Sequence, residues 1–234
     1  MKNFCLVFFF PYFFAFQISA QTPTIAWTKS FGNSTINWDI KPTADGNFIV
    51  LGRIYFDDTV VNCPLKGLGD ILITKINTAG DILWQKCYGG SNDEGFGAGD
   101  AILPTADLGY IFITKTFSND GDVSGNHGGD DIWVVKVDSM GAIQWQHCYG
   151  GTSSDAPLGI VEAGNQSFII LGLTNSLPGG DIPFRYGGNF DNDVWAARID
   201  DSGNIIWTTV YGGSNSDFIG SISKLNNNQF QLAG

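Results

Sequence analysis

Charge is scarce in this sequence, and so are the residue types that most often do chemistry. Asp, Glu, Lys and Arg supply 15% of 234 residues, alongside two His, two Met and four Cys. So low a charged fraction does not suit a helical protein, which needs solvated faces. No stretch keeps the three-and-four apolar spacing of an amphipathic helix. There is no Gly-Lys-Ser/Thr phosphate loop and no nucleophile-elbow motif, and neither His127 nor His147 belongs to a metal-spacing pattern. The sequence therefore predicts a protein that is not an enzyme. Bases are few as well: the net charge is −11, which would repel a phosphate backbone and argues against nucleic acid as a partner.

What is abundant is glycine, at 31 residues, and aromatics, at 14%. Aromatic and β-branched side chains fit pleated surfaces, and glycine serves tight turns. The first twenty residues stand apart. Lys2 is their one charge, residues 4–16 are almost wholly apolar, and Ser19-Ala20 offers small residues for cleavage before Gln21. This is the layout of a secretory signal peptide over 1–20. The apolar run is short for a membrane span and is broken by Pro11, so no span is expected after cleavage. The mature chain keeps Cys63, Cys87 and Cys148, an odd number. Cys87 and Cys148 hold matching repeat positions, and each reads as a buried free thiol.

One phrase recurs: AWTKSFGNS, LWQKCYGGS, QWQHCYGGT and IWTTVYGGS, marked by Trp27, Trp84, Trp145 and Trp207. The spacing is about 60 residues, the scale of a propeller blade. Each unit divides into four strand-like runs. In the second they are roughly 100–105, 110–117, 131–137 and 142–149. The links between third and fourth runs, NTAGD, DSMGA and DDSGN, open on Asx and place Gly three residues later, as a tight antiparallel connection requires. The predicted fold is all-β: a β-propeller of four-stranded antiparallel blades over 21–234. Its units run about 36–91, 92–152, 153–214 and 215–234. The last is half a blade, so about three and a half are expected here, and the native chain is expected to continue.

The pattern W-Q-K-x-Y-G-G-S, T-x-D-G-x-[FY]-I-[VIL]-x-G and D-G-D-V-S-G-N-H-G-G-x-D-x-W-V-V-K-x-D is carried by Trp84–Ser91, Thr43–Gly52 and Asp120–Asp138. It resembles a repeat of secreted Bacteroidetes proteins. The resemblance implies a propeller and export, often through the type nine secretion system, and implies no particular activity. Residues 43–49 also partly resemble the Q-x-D-x-N-x-V mannose-binding motif of bulb-type lectins, with Asp45, Asn47 and Ile49 matching.

Candidate site residues divide into recurring and singular ones. Glu94, Asp155 and Asp217 recur after each aromatic-Gly-Gly, and Lys75, Lys136 and Arg198 recur on the third run. Recurrence in every unit gives them a structural role, as acceptors of backbone N–H groups or as ion pairs. Trp38 is not repeated, which leaves it a freer candidate for ligand binding, and the bulb-lectin resemblance implies Asp45 and Asn47 beside it. Asp120, Asp122 and Asn126 gather hard oxygen donors in one loop, where calcium is a possible cofactor. The functional expectation is a secreted or cell-surface module that binds protein or polysaccharide, or serves as a structural part of a larger protein. A lectin-like carbohydrate binder is the alternative, and a hydrolase using the propeller's central cleft the third reading.

Overall fold

The repeated runs such as FIVLGRI, YIFITKT and FIILGLT each open on four consecutive apolar residues, so a strand built from them must be covered on both faces. The computed structural model describes residues 27–56, 60–61, 63–95, 99–188, 191–225 and 229–233. The expected leader at 1–20 lies outside these residues. Blade 1 is β1 (Thr35–Pro42), β2 (Phe48–Ile54), β3 (Asp70–Ile76) and β4 (Ile82–Tyr88). Blade 2 is β5 (Ala101–Pro104), β6 (Tyr110–Thr116), β7 (Asp131–Val137) and β8 (Ile143–Tyr149). Blade 3 is β9 (Asp155–Glu162), β10 (Phe168–Thr174), β11 (Asp193–Ile199) and β12 (Ile205–Tyr211), and β13 (Ser221–Lys224) pairs with β14 (Phe230–Ala233). Each of the three blades is an antiparallel meander in sequence order. Among the described residues there is no helix.

The β3–β4 turn shows how sequence sets the meander. The Asn77 side chain accepts from the N–H groups of Ala79 and Asp81, both at 2.9 Å. Gly80 follows with a φ of 77°, a left-handed conformation that costs glycine little. Asp138 and Asp200 repeat the arrangement, with Gly141 and Gly203 in the left-handed position. The third and fourth strands then slip register at the same place in every blade, beside Lys75, Lys136 and Arg198.

Blades stack face to face. One buried cluster joins Ile49, Leu51, Ile71 and Ile73 of blade 1 to Tyr110, Phe112, Trp133 and Val135 of blade 2. A second joins Ile111, Ile113, Ile132 and Val134 to Ile160, Phe168, Ile170 and Trp195 of blade 3. Successive strand residues point to opposite faces, so one strand feeds two clusters. Ile169 and Leu171 on the far face of blade 3 pack against Ile222 and Phe230. The architecture is thus a row of propeller blades, each stabilised through its neighbours.

The cysteines correct the sequence reading. Cys87 is not a free thiol; it forms a disulfide with Cys63, their Cα atoms 5.8 Å apart. Cys63 belongs to the β2–β3 connection of blade 1, which returns across Leu72 and Ile54 to reach β4. Blade 2 has no cysteine in that connection, so Cys148 stays free and buried. Burial pushes its thiol well above the usual range, as expected of a small hydrophobe rather than a nucleophile.

Candidate functional site

The Trp-x-x-x-Tyr-Gly-Gly phrase serves the junctions between blades. Its Trp and Tyr stand four apart on a strand and so share a face. Tyr88 donates its hydroxyl to Gly141 O of the next blade's turn at 2.7 Å, and Tyr149 does the same to Gly203 O. Trp145 Nε1 donates to Asp201 O at 2.8 Å, and Trp27 Nε1 to Thr78 O at 3.0 Å. On blade 3 the equivalent Trp207 and Tyr211 are 39% and 52% exposed.

The two glycines meet the recurring carboxylates. Gly90, Gly151 and Gly213 donate their N–H groups to Glu94, Asp155 and Asp217 at 3.0, 2.7 and 2.6 Å. A Cβ on Gly150 would lie 2.7 Å from Asp155 Oδ2 and 2.8 Å from Asp131 Oδ1, so a side chain there would have to displace these buried carboxylates. Burial raises Asp155 to about 6, against bonds from Gly151 and Ser176, and raises Asp70 to about 6 as well. The recurring bases turn elsewhere. Lys75 pairs with Asp45 at 2.6 Å and Lys136 with Asp107 at 2.7 Å, while Arg198 donates to Ser167 Oγ.

The oxygen-rich loop holds itself together. Asp120 accepts from Ser91 N at 2.7 Å, and Asp122 accepts from Gly89 N and pairs with Lys66. Asn126 Oδ1 accepts from Gly128 N, and its amide donates to Thr116 O and Ser118 O. The three side chains face different partners, and an ammonium already lies on Asp122. Among the described residues no three His, Cys, Asp or Glu are grouped to hold a metal ion. The two histidines share one groove with Asp181, where His127 Nδ1 sits 2.7 Å from Asp131 Oδ2. They occupy the repeat positions of Lys66, which pairs with Asp122, and of Lys86 at the preceding junction.

On the side of the β1–β2 and β3–β4 turns, two clefts of matching design open between blades. The first, about 460 Å³, lies between blades 1 and 2 and is lined by Trp84, Tyr110, Leu83, Leu108, Met140 and the Asp45–Lys75 pair. The second, about 480 Å³, lies between blades 2 and 3 and is lined by Trp145, Phe168, Gln144, Glu162, Gln166 and the Asp107–Lys136 pair. Both volumes fall within the range of small-ligand sites. The likeness has a simple cause. Lys75 stands directly across from Trp84, and Lys136 from Trp145, so base and indole leave the same face of the blade. The turn carboxylate before β2 or β6 reaches over to the base. The first aromatic of the next blade's second strand closes the other wall.

The carboxylates are fixed. The Lys75 ammonium, then the Thr43 hydroxyl, hold Asp45 well below the ordinary carboxylate range. For Asp107, partial burial works upward, but bonds from Lys136, Thr105 and Gly109 N bring it down to about 2. Lys136 Nζ also donates to Val137 O and to Gln144 Oε1, at 3.2 and 2.9 Å. The pair is therefore a neutral, ordered floor.

Of the candidate ligand-binding residues, Asp45 lines the first cleft. Asn47 ends the same turn, its N–H donating to Asp45 Oδ1 at 3.3 Å, whereas Ile49 is fully buried. Trp38, on β1, packs against the core shared by blades 1 and 2 and against Gly95, and lines neither cleft. Sequence reasoning passed over Tyr110, Phe168, Leu108, Glu162 and Gln166. One signal was available: Leu108 replaces Gly46 at the equivalent turn position.

No protein-family model and no curated protein matches the chain. Among solved structures it is similar to an apocarotenoid oxygenase of Synechocystis carrying a tryptophan-to-alanine substitution. The identity is 16% and the TM-score 0.37, over 73% of this chain and 37% of that one. An ACO/RPE65 chimera matches over the same shares, at 16% identity and a TM-score of 0.36. Likenesses at this level bear on neither activity nor substrate.

Proposed function

We propose that this protein is a non-enzymatic extracellular binding module, and that its ligand, a polysaccharide or a protein segment, enters the clefts between neighbouring blades. The observation that carries the reading is the repetition of one cleft design at two successive junctions: an indole wall, an aromatic from the next blade, and a neutral Asp–Lys floor. Indole faces and fixed polar groups suit a ligand with flat apolar faces and hydroxyls. Two adjacent equivalent sites suit a ligand that itself repeats. The leader-like residues 1–20 and the Cys63–Cys87 disulfide support an oxidising, extracellular setting. Asp45, the residue shared with the bulb-lectin motif, lines the first cleft and favours carbohydrate as the ligand.

The test is a screen on immobilised glycans and surface proteins, run with the wild type and with a W84A/W145A double variant whose folding is checked by circular dichroism. A ligand retained by the wild type and weakened tenfold or more in the variant supports the reading. Undiminished retention of every ligand by the variant overturns it.

A further inference from the structure

Resting on that reading, we propose that the cleft between blades 2 and 3 is a site for an amino sugar, a glycan ring bearing a free, protonated amine. The two clefts share a floor but differ at the rim. In the first, the charged lining residues are Asp45 and Lys75, which neutralise one another. In the second, Glu162 and Asp201 join the lining beyond the neutral Asp107–Lys136 pair. Among the described residues neither carboxylate has a hydrogen-bond or ion-pair partner from another side chain. The Lys136 ammonium, which could have answered them, is fully engaged by Asp107, Val137 O and Gln144 Oε1. The cleft thus carries two uncompensated negative charges beside an indole.

That indole is positioned rather than loose. Trp145 Nε1 is tied to Asp201 O at 2.8 Å, and His147 lies 5.6 Å away, centroid to centroid. The bond ties the indole edge to the Asp201 backbone, and both residues line the cleft. A sugar ring can lie against the indole while its ammonium meets Glu162 or Asp201, with cation–π attraction adding to the ion pair. The Gln144 Nε2 group and the Gln166 amide, which have no partner among the described residues, are available for ring hydroxyls. Gln166 holds a φ of 54°, so this amide stands at the rim in a conformation that ordinarily favours glycine. The overall charge of −11 steers a cationic polymer toward the protein. A lysine side chain could satisfy the acids but would leave the indole face and the amides without a matching surface.

The experiment is calorimetric titration, at low and moderate salt, of the wild type, E162Q/D201N and W145A. The probes are glucosamine oligomers, their N-acetylated counterparts and a lysine oligomer of equal charge. The proposal expects the free-amine oligomers to bind at least tenfold tighter than the acetylated ones. It also expects that preference to vanish in E162Q/D201N, and W145A to weaken the binding. If acetylated and free oligomers bind alike and W145A weakens both, the amine preference is overturned while the cleft reading stands. Equal binding of the lysine oligomer overturns the sugar class. Absence of any W145A-sensitive binding overturns the proposal and counts against the cleft itself. E162Q/D201N alters solvent-exposed side chains, so a folding defect is not expected; its melting curve checks this.

Discussion

Leu108 and Gln166 hold φ values of 67° and 54° at the turn where blade 1 places Gly46 at 78°. A side chain in this region costs on the order of 1–2 kcal/mol, and these two line the clefts. Leu108→Gly removes that strain, with part of the gain offset by the freer unfolded chain. Chemical denaturation is expected to show a stability gain of up to about 1 kcal/mol. Any ligand of the first cleft is expected to bind more weakly at the same time. Gly150 is the opposite case. An added methyl would press on Asp131 and Asp155, both buried and held by other bonds. Gly150→Ala is expected to lower the unfolding free energy by about 2–3 kcal/mol in the same assay. An unchanged midpoint would show that the carboxylates give way, contrary to the packing described.

The blade junction is where an element's worth can be measured. Tyr149 donates a buried hydrogen bond to the next blade's turn, and its removal leaves Gly203 O without that donor. Tyr149→Phe is expected to cost about 1–2 kcal/mol. Tyr211→Phe, the same change on a half-exposed residue, is expected to cost less than about 0.5 kcal/mol. Blade architecture was legible because it rests on local rules. Asx-x-x-Gly fixes the turns, and alternating or wholly apolar runs fix the strands, which fall within a residue or two of the predicted bounds in blade 2. The recurring phrase was legible as a repeat, but not its bonds, because Tyr149 and Gly203 lie in different blades. The Cys63–Cys87 disulfide escaped for a related reason: it depends on the path of one irregular connection, which no periodicity announces. The clefts were half legible. Asp45 was singled out, whereas Tyr110 and Phe168 only open strand runs, and it takes the neighbouring blade to set them opposite an indole.

At the scale of the whole molecule, the buried carboxyls give stability a pH signature. Asp70 and Asp155 titrate at about 6 in the folded protein, and burial shifts Asp131, Asp181 and Asp193 in the same direction. Unfolded aspartate releases its proton near 4, roughly two pH units lower. Between these values the folded state binds more protons, so stability falls as pH rises. The ion-paired Asp45 and Asp107 act oppositely, losing their contribution as pH falls through their lowered folded values. Thermal scans are expected to give a higher melting temperature near about pH 5 than near about pH 8, with a decline below about pH 3. A melting temperature rising steadily toward pH 8 would mean that the buried carboxyls are better compensated than their surroundings indicate. The central claim is that ligand enters between blades on the turn side. Hydrogen exchange with a ligand recovered from the screen tests it most directly. Protection is expected at residues 43–47, 104–109, 139–142 and 162–168, which border the two clefts. Protection confined to the opposite connections, 119–127 and 175–188, would contradict it.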